Sequence, residues 1–335
     1  MKILFRTSGG TSNQQELGTG HIFRCINLAK QFKKSNIFFL VEDFGGIKEI
    51  FEKNNFKNII FLKPQLSKKN DIKKTLKEVK KEKIDIVIVD KLGINKSYLT
   101  EIRKNISTVY IADLLEYEFS ADLIINGFLG FKNSRIKNKY GSTCLLGPKY
   151  QILSNSHIQK KMKKPKFDLL ITLGGYDKNQ NLDKLALILP NFLSKLKIKI
   201  IIGPSTKKSK KIQQLENQFK NSLTVIKFSK NIRTDIANTK FGLCGGGITT
   251  YEFGLLKIPF FIICQYEHQN ISAKYWKKFG YSEGYIEPKN KTMNKVEKYF
   301  LSIINKKIIA KRKKIEIDNL AILRIKKELY KLKIT

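Results

Sequence analysis

The chain has 335 residues, 41% of them hydrophobic, and carries 65 Lys and Arg against 28 Asp and Glu, a formal net charge of +37. So much apolar content, with 22 Phe, excludes a disordered chain, and no apolar run approaches the roughly 18 residues that would span a bilayer. The length suits two domains of about 150 residues each. Seven of the 65 basic residues are Arg and the other 58 are Lys spread along the whole chain, so the charge reads as a diffuse surface property. Specific nucleic-acid readers draw on the planar Arg fork, and no specific nucleic-acid partner is expected. Peripheral attraction to an anionic membrane stays open, as does a preference for an anionic small molecule. Cys25, Cys144, Cys244 and Cys264 are far apart and form no CxxC pair, which reads as free thiols in a reducing cytoplasm. The opening "MKILFRTSGG" has too short an apolar stretch for a signal peptide, so a cytoplasmic location is expected.

In chain order, strand-like segments fall at 2–5, 36–43, 58–62, 84–90, 107–113 and 122–127, with helix-like segments at 21–34, 45–55, 69–82 and 96–104. The strands are runs of Ile, Val and Phe without clean alternation, which predicts burial on both faces and a mainly parallel α/β sheet. A polar, basic stretch at 154–166, which includes His157 as an expected surface residue, then breaks the pattern and reads as a linker. Alternation resumes with strands at 167–175, 197–204, 223–228, 240–246 and 259–265. Helices are expected near 181–195, 207–219, 231–238, 248–256, 270–279 and 291–330. Two successive α/β units of similar size predict a two-lobed, doubly wound α/β protein whose ligands sit at the carboxyl ends of the strands, in a central cleft.

Three glycine turns each follow a strand and precede a helix: Gly18–Gly20, Gly174-Gly175 and Gly245-Gly246-Gly247. Glycine admits close backbone approach, and a helix N-terminus presents free N–H groups carrying partial positive charge, so three such turns point to a phosphate-bearing ligand. A dinucleotide fingerprint fails because its third glycine would fall on Phe23, and no GxxxxGKS/T phosphate loop occurs. A nucleotide-sugar fits better than NAD or ATP. His21, one of three histidines, stands behind the first turn, and Arg24 lies three residues on, on the same helix face. At a helix N-terminus the dipole opposes protonation, which leaves His21 neutral and able to act as a base. His21 as a polar cap, and Glu252 as an ordinary acid in the first turn of a helix, are the plain alternatives. Asp90, ending a strand, reads as either structural or polar toward a sugar. His268 reads as lining the cleft or as solvated, and Trp276 with Tyr275 reads as core.

The segments "GTGHIFRCINLA", "VIVDKLGI", "ADLIING", "LLGPKY", "ITLGGYDKNQN" and "CGGGITTYEFGLLKIPFFIICQYEHQN" occur in one order. Over roughly residues 1–285 they resemble the UDP-2,4-diacetamido-2,4,6-trideoxy-altropyranose hydrolases of pseudaminic acid synthesis and the related spore-coat polysaccharide proteins. These are similar in turn to the lipid-II-forming N-acetylglucosaminyltransferase, with its GT-B fold. The resemblance implies two Rossmann-like domains, 1–155 on the sugar or acceptor side and 156–335 binding UDP and carrying the Lys-rich C-terminal helices. It makes His21 the counterpart of the catalytic histidine, places Glu252 on the ribose hydroxyls and turns Gly245–Thr249 toward the diphosphate. It sets Gln269 and Asn270 near the sugar or diphosphate. Gly18, Gly20, Arg24, Asp90, Gly174, Gly175, Gly246, Gly247 and Thr249 complete the expected binding set.

The implied activity is inverting hydrolysis of a UDP-linked amino sugar to free sugar and UDP, with no cofactor and no metal. In that reaction backbone N–H groups stabilise the leaving diphosphate. The chain departs from the hydrolases at Thr7-Ser8, where an acidic residue usually stands, in its longer loop to Gly18, and at Ala112-Asp113 in place of two aspartates. These departures keep a glycosyltransferase of the same fold as a second expectation. A non-catalytic binder of nucleotide-sugars or anionic polymers is the third.

Overall fold

The computed structural model describes residues 1–10, 18–91, 93–154, 162–204, 206–229, 231–290, 292–308 and 312–332. Residues 11–17 and the part of the expected linker that holds His157 lie outside the described residues. The chain divides into two compact units, Met1–Asn155 with Asp318–Thr335, and Ser156–Ile317.

The first unit runs β1 (Ile3–Gly10), α1 (Gly20–Ala29), β2 (Ile37–Phe44), α2 (Lys48–Lys53), β3 (Ile59–Leu62) and α3 (Lys68–Glu82). It continues with β4 (Ile86–Asp90), α4 (Lys96–Arg103), β5 (Ser107–Ile111), β6 (Leu123–Asn126), β7 (Ser134–Lys137) and β8 (Thr143–Leu146). Its sheet has the order β3-β2-β1-β4-β5-β6-β8-β7, parallel except for the antiparallel β7 at one edge. Every residue of β1 is buried. Ile3 and Phe5 pack with Ile22, Cys25 and Ile26 of α1, while Leu4 packs on the other face with Leu40, Val87 and Val89. Burial on both faces is why these strands read as unbroken apolar runs. The polar edge strand β7, with its exposed Arg135 and Lys137, gave no such signal.

The second unit runs β9 (Phe167–Thr172), α5 (Asn181–Ile188), β10 (Ile198–Ile202), α6 (Lys210–Gln218), β11 (Leu223–Lys227) and α7 (Ile232–Ala237). It continues with β12 (Thr239–Gly245), α8 (Thr249–Leu255), β13 (Phe260–Ile263), α9 (Gln269–Lys278), β14 (Ser282–Ile286) and α10 (Asn294–Ile304). Its sheet, β11-β10-β9-β12-β13-β14, is parallel throughout. Trp276 is fully buried, with Tyr251 edge-on at 5.0 Å, and so belongs to the core as expected.

Among the described residues, the helical span expected at 291–330 holds α10 and a later helix. The later one, α11 (Ala321–Leu332), packs in the first unit. This corrects the assignment of all the C-terminal helices to the second unit. Ile322, Ile325 and Leu329 form an apolar stripe at helical spacing that joins the first core beside Ile3 and Ile26. Arg135 bonds Glu328 at 3.1 Å, and Arg324 donates to the Lys149 carbonyl at 3.0 Å.

In each sheet the first strand is central and the chain winds outward from it in both directions. The crevice at such a switch point, beyond the carboxyl ends of the strands, is where open α/β sheets bind ligands. The switch points are β1/β4 in the first unit and β9/β12 in the second.

Candidate active site

His21 is the second residue of α1, which leaves the end of β1, and Asp90 ends the neighbouring β4. The pair therefore stands at the switch point of the first sheet. His21 Nδ1 lies 2.6 Å from Asp90 Oδ1. A contact that short to a carboxylate requires a proton between the two atoms, so Nδ1 carries it, and in the neutral ring the lone pair is then on Nε2. The 3.1 Å approach of the Arg24 guanidinium to the same Nδ1 is then a contact between two donors, not a hydrogen bond. Arg24 itself spans two carboxylates: Nε is 2.8 Å from Asp90 Oδ2, and one terminal nitrogen is 2.6 Å from Asp113 Oδ1.

Asp90 is fully buried, and Cys25 Sγ approaches its Oδ2 at 3.6 Å. Burial alone would raise the Asp90 carboxyl, but Arg24 and His21 outweigh it and hold it below the ordinary value. Burial likewise lowers Arg24, and Asp113 and Asp90 more than reverse that. Of the two readings of Asp90, structural or polar toward a sugar, its burial and its bonds to His21 and Arg24 favour the first. Arg24, also expected among the ligand contacts, is buried as the cation of this cluster. Asp113, with its side chain 45% exposed, is the most open of the four.

Ligand atoms of His21, Asp90 and Asp113 lie within 4.8 Å of one another, close enough to hold a metal ion by distance alone. The Arg24 guanidinium already bridges both carboxylates, so a divalent cation would have to displace a buried, hydrogen-bonded cation. The donor set is poorly suited to a metal.

A second charge cluster sits on the opposite face of the same sheet. Arg6 bonds Asp71 at 2.7 and 2.6 Å and Glu42 at 2.9 Å, and Lys91 bonds the same two acids at 2.7 and 2.8 Å. Burial would raise Asp71, but Arg6 and Lys91 outweigh it and bring its carboxyl down to about 2. The cluster pins β1, β2, α3 and the end of β4 together beneath the His21 side.

In the second unit, Gly174-Gly175 follow β9, and Gly245 ends the adjacent β12 with Gly246-Gly247 directly after it, again at the switch point. The loop after β9 is tied to the loop after β13. Asp177 Oδ1 accepts from Gln265 Nε2 at 3.1 Å and from Asn181 at 3.2 Å, and Asp177 Oδ2 accepts from the Leu182 N–H at 2.7 Å. Gln269 opens α9 and its Oε1 accepts from the Gln265 N–H at 2.8 Å, while Asn270 donates to Glu267 at 3.1 Å. His268 stacks on Tyr266, ring centroids 5.6 Å apart. Glu252, in α8, is buried against the guanidinium of Arg233 in α7. Thr249 begins α8.

The glycines divide by what surrounds them. A side chain on Gly9 would meet Ile22 Cδ1 at 2.5 Å, one on Gly245 the Leu173 carbonyl at 2.8 Å, and one on Gly246 the side chain of Gln269 at 2.8 Å. Those glycines answer to the protein's own packing. Around Gly18 and Gly247 nothing among the described residues comes within 4 Å of such a side chain, so the protein's own packing, as described, leaves room for one there. Gly174 is also open, but its φ of +88° accounts for the residue by turn geometry.

Sequence reasoning named His21, Arg24, Asp90 and Glu252 but not Asp113 as a partner, nor Arg6 or Arg233. One signal could have found the arginines. In a chain that spends Lys freely, three of the seven Arg are buried, and no Lys is among the buried residues described. A buried, multiply bonded cation needs the rigid guanidinium fork, so Arg persists where Lys cannot serve.

No family model matches the chain. It is 30% identical over 290 residues, 80% of its own length, to an uncharacterised protein of Methanocaldococcus jannaschii, and spans 57% of that relative. It is 25% identical over 275 residues to the spore coat polysaccharide biosynthesis protein SpsG of Bacillus subtilis, covering 77% of each chain. Among solved structures, MurG of Acinetobacter baumannii matches with a TM-score of 0.67 at 14% identity, over 99% of this chain and 100% of that one. A complex of Staphylococcus aureus MnaA with UDP matches with a TM-score of 0.59 at 13% identity, over 100% and 98%. With the two doubly wound parallel sheets, these likenesses identify the fold as GT-B.

Proposed function

We propose that the chain is a nucleotide-sugar enzyme of surface-polysaccharide synthesis, and within that class a hydrolase that releases an amino sugar from UDP. The observation that carries the catalytic part is the His21–Asp90 pair at the β1/β4 switch point, with the imidazole proton on Nδ1. His21 Nε2 takes a proton from water as the water oxygen bonds to the anomeric carbon and the bond from that carbon to the diphosphate oxygen breaks. UDP leaves with the electron pair on the face opposite the attack, so the configuration inverts. Asp90 holds the ring and stabilises the imidazolium, and Arg24 keeps Asp90 ionised. In the second unit Glu252 takes the ribose hydroxyls. The Gly245–Thr249 turn takes the diphosphate, and Gln269 and Asn270 lie toward the sugar or diphosphate. The likeness to SpsG supports the polysaccharide setting, and the UDP complex on the same fold supports the nucleotide.

A glycosyltransferase is the second reading, favoured by Thr7-Ser8 and Ala112 on the sugar side, where the hydrolase pattern has acids. The same base would then deprotonate an acceptor hydroxyl. Incubation with a panel of UDP-sugars, each with and without glycan and lipid acceptors, separates the two. UDP release without acceptor, persisting in EDTA, is expected. Release confined to the acceptor arms would establish the transferase reading, and no release in any arm would overturn both.

A further inference from the structure

Arg233 is 1% exposed and Glu252 is 3% exposed, and its Nε donates to Glu252 Oε2 across the packed pair α7 and α8. The neighbouring acid of α7 is taken elsewhere: Asp235 bonds Lys199 at 2.6 Å and also Ser229. Two full charges removed from water are costly to keep unless each is needed by the other. A buried carboxylate without its cation takes up a proton, and a protonated acid presents a donor where a ribose hydroxyl needs an acceptor. The planar guanidinium also sets the plane of the carboxylate it holds, which a Lys ammonium does not.

We propose that Arg233 is the positioning residue that sets the charge and orientation of Glu252, and through it the selection of ribonucleoside over 2′-deoxyribonucleoside diphosphates. The inference rests on the reading in which Glu252 takes the ribose hydroxyls. A site built to bond a hydroxyl rejects the analogue lacking it because its buried acceptor is left unpaired. That rejection is strong only while the acceptor is charged and fixed.

The test is calorimetric titration of UDP and 2′-deoxy-UDP into the full-length wild type, Arg233→Met, Arg233→Lys and Glu252→Gln, between about pH 7 and 9, above the ionisation of the nucleotide phosphate. Wild type is expected to prefer UDP by about tenfold or more, independent of pH. Arg233→Met is expected to lose about tenfold in UDP affinity at the low end, regain part of it as pH rises, and prefer UDP by less than about threefold at pH 7. A merely structural Arg would not produce that pH dependence. Arg233→Met with the affinity, pH profile and preference of wild type would overturn the proposal. If Arg233→Met does not fold, Arg233→Lys decides. It keeps the charge without the fork, so a reduced preference with a flat pH profile supports the proposal, and a wild-type preference overturns it. Glu252→Gln indistinguishable from wild type with both nucleotides would overturn the ribose reading itself, a separate result.

Discussion

Asp113, Arg24, Asp90 and His21 form a chain of contacts in which each side chain fixes the next, ending on an imidazole whose Nδ1 faces Asp90. The Arg6 cluster behind it does the same work for the backbone, and its energetics are open to measurement. Asp71 falls from an ordinary 3.8 to about 2 in the folded chain. A depressed carboxyl adds stability that is complete above the unfolded value, about pH 4, and is lost as pH falls through about 2. At full strength the shift corresponds to about 2 kcal/mol. Between pH 5 and pH 3, urea unfolding of wild type should lose about 1 kcal/mol more than unfolding of Asp71→Asn. Equal losses would show that Arg6 and Lys91 do not hold Asp71 as described. Little of this was legible in the sequence. Arg6 and Asp71 stand 65 residues apart, and Arg24 and Asp113 stand 89 apart, so nothing local announces either pair.

At the scale of elements, the parallel strands were legible because burial on both faces leaves uninterrupted apolar runs, as in "IDIVIVD". The strands β7, β8 and β14 were not: "SRIK" and "SEGYI" at sheet edges mix polar residues and glycine, and the buried parallel "TCLL" is only four residues long and opens on Thr. The glycine turns were legible as turns, but their reasons were not, because a neighbour such as Ile22 or Gln269 is visible only once the chain is folded. This separates two kinds of variant. Gly9→Ala drives Ile22 and, at 3.0 Å, the Gly18 carbonyl from β1, and should cost about 1–3 kcal/mol of stability. By displacing the first turn of α1, it should also lower turnover while UDP affinity is unchanged. Gly247→Ala meets nothing in the described protein, so stability should hold while UDP affinity falls about tenfold or more. Thermal unfolding and UDP titration of the two variants check both halves. A Gly247→Ala protein that binds UDP normally would remove this turn from the nucleotide site.

For the whole molecule, two α/β units could be read from the repeated alternation, and the GT-B expectation from the ordered motifs, because both follow from local pattern. The return of α11 to the first unit could not, since an apolar stripe such as Ile322, Ile325 and Leu329 says that a helix is buried but not where. The net charge of +37 is likewise a property of the whole chain, while the residues given the chemistry here form compact, nearly balanced clusters within it. Each unit carries one set of proposed functional residues at its own switch point, the base in the first and the nucleotide contacts in the second. Turnover and nucleotide affinity should therefore respond separately to substitution. The most direct measurement compares His21→Asn and wild type for UDP-sugar turnover and for UDP affinity in parallel. His21→Asn should stay folded and bind UDP as wild type does while turnover falls by roughly 10²–10⁴, the share of a positioned base. Turnover at the wild-type rate in His21→Asn would contradict the account.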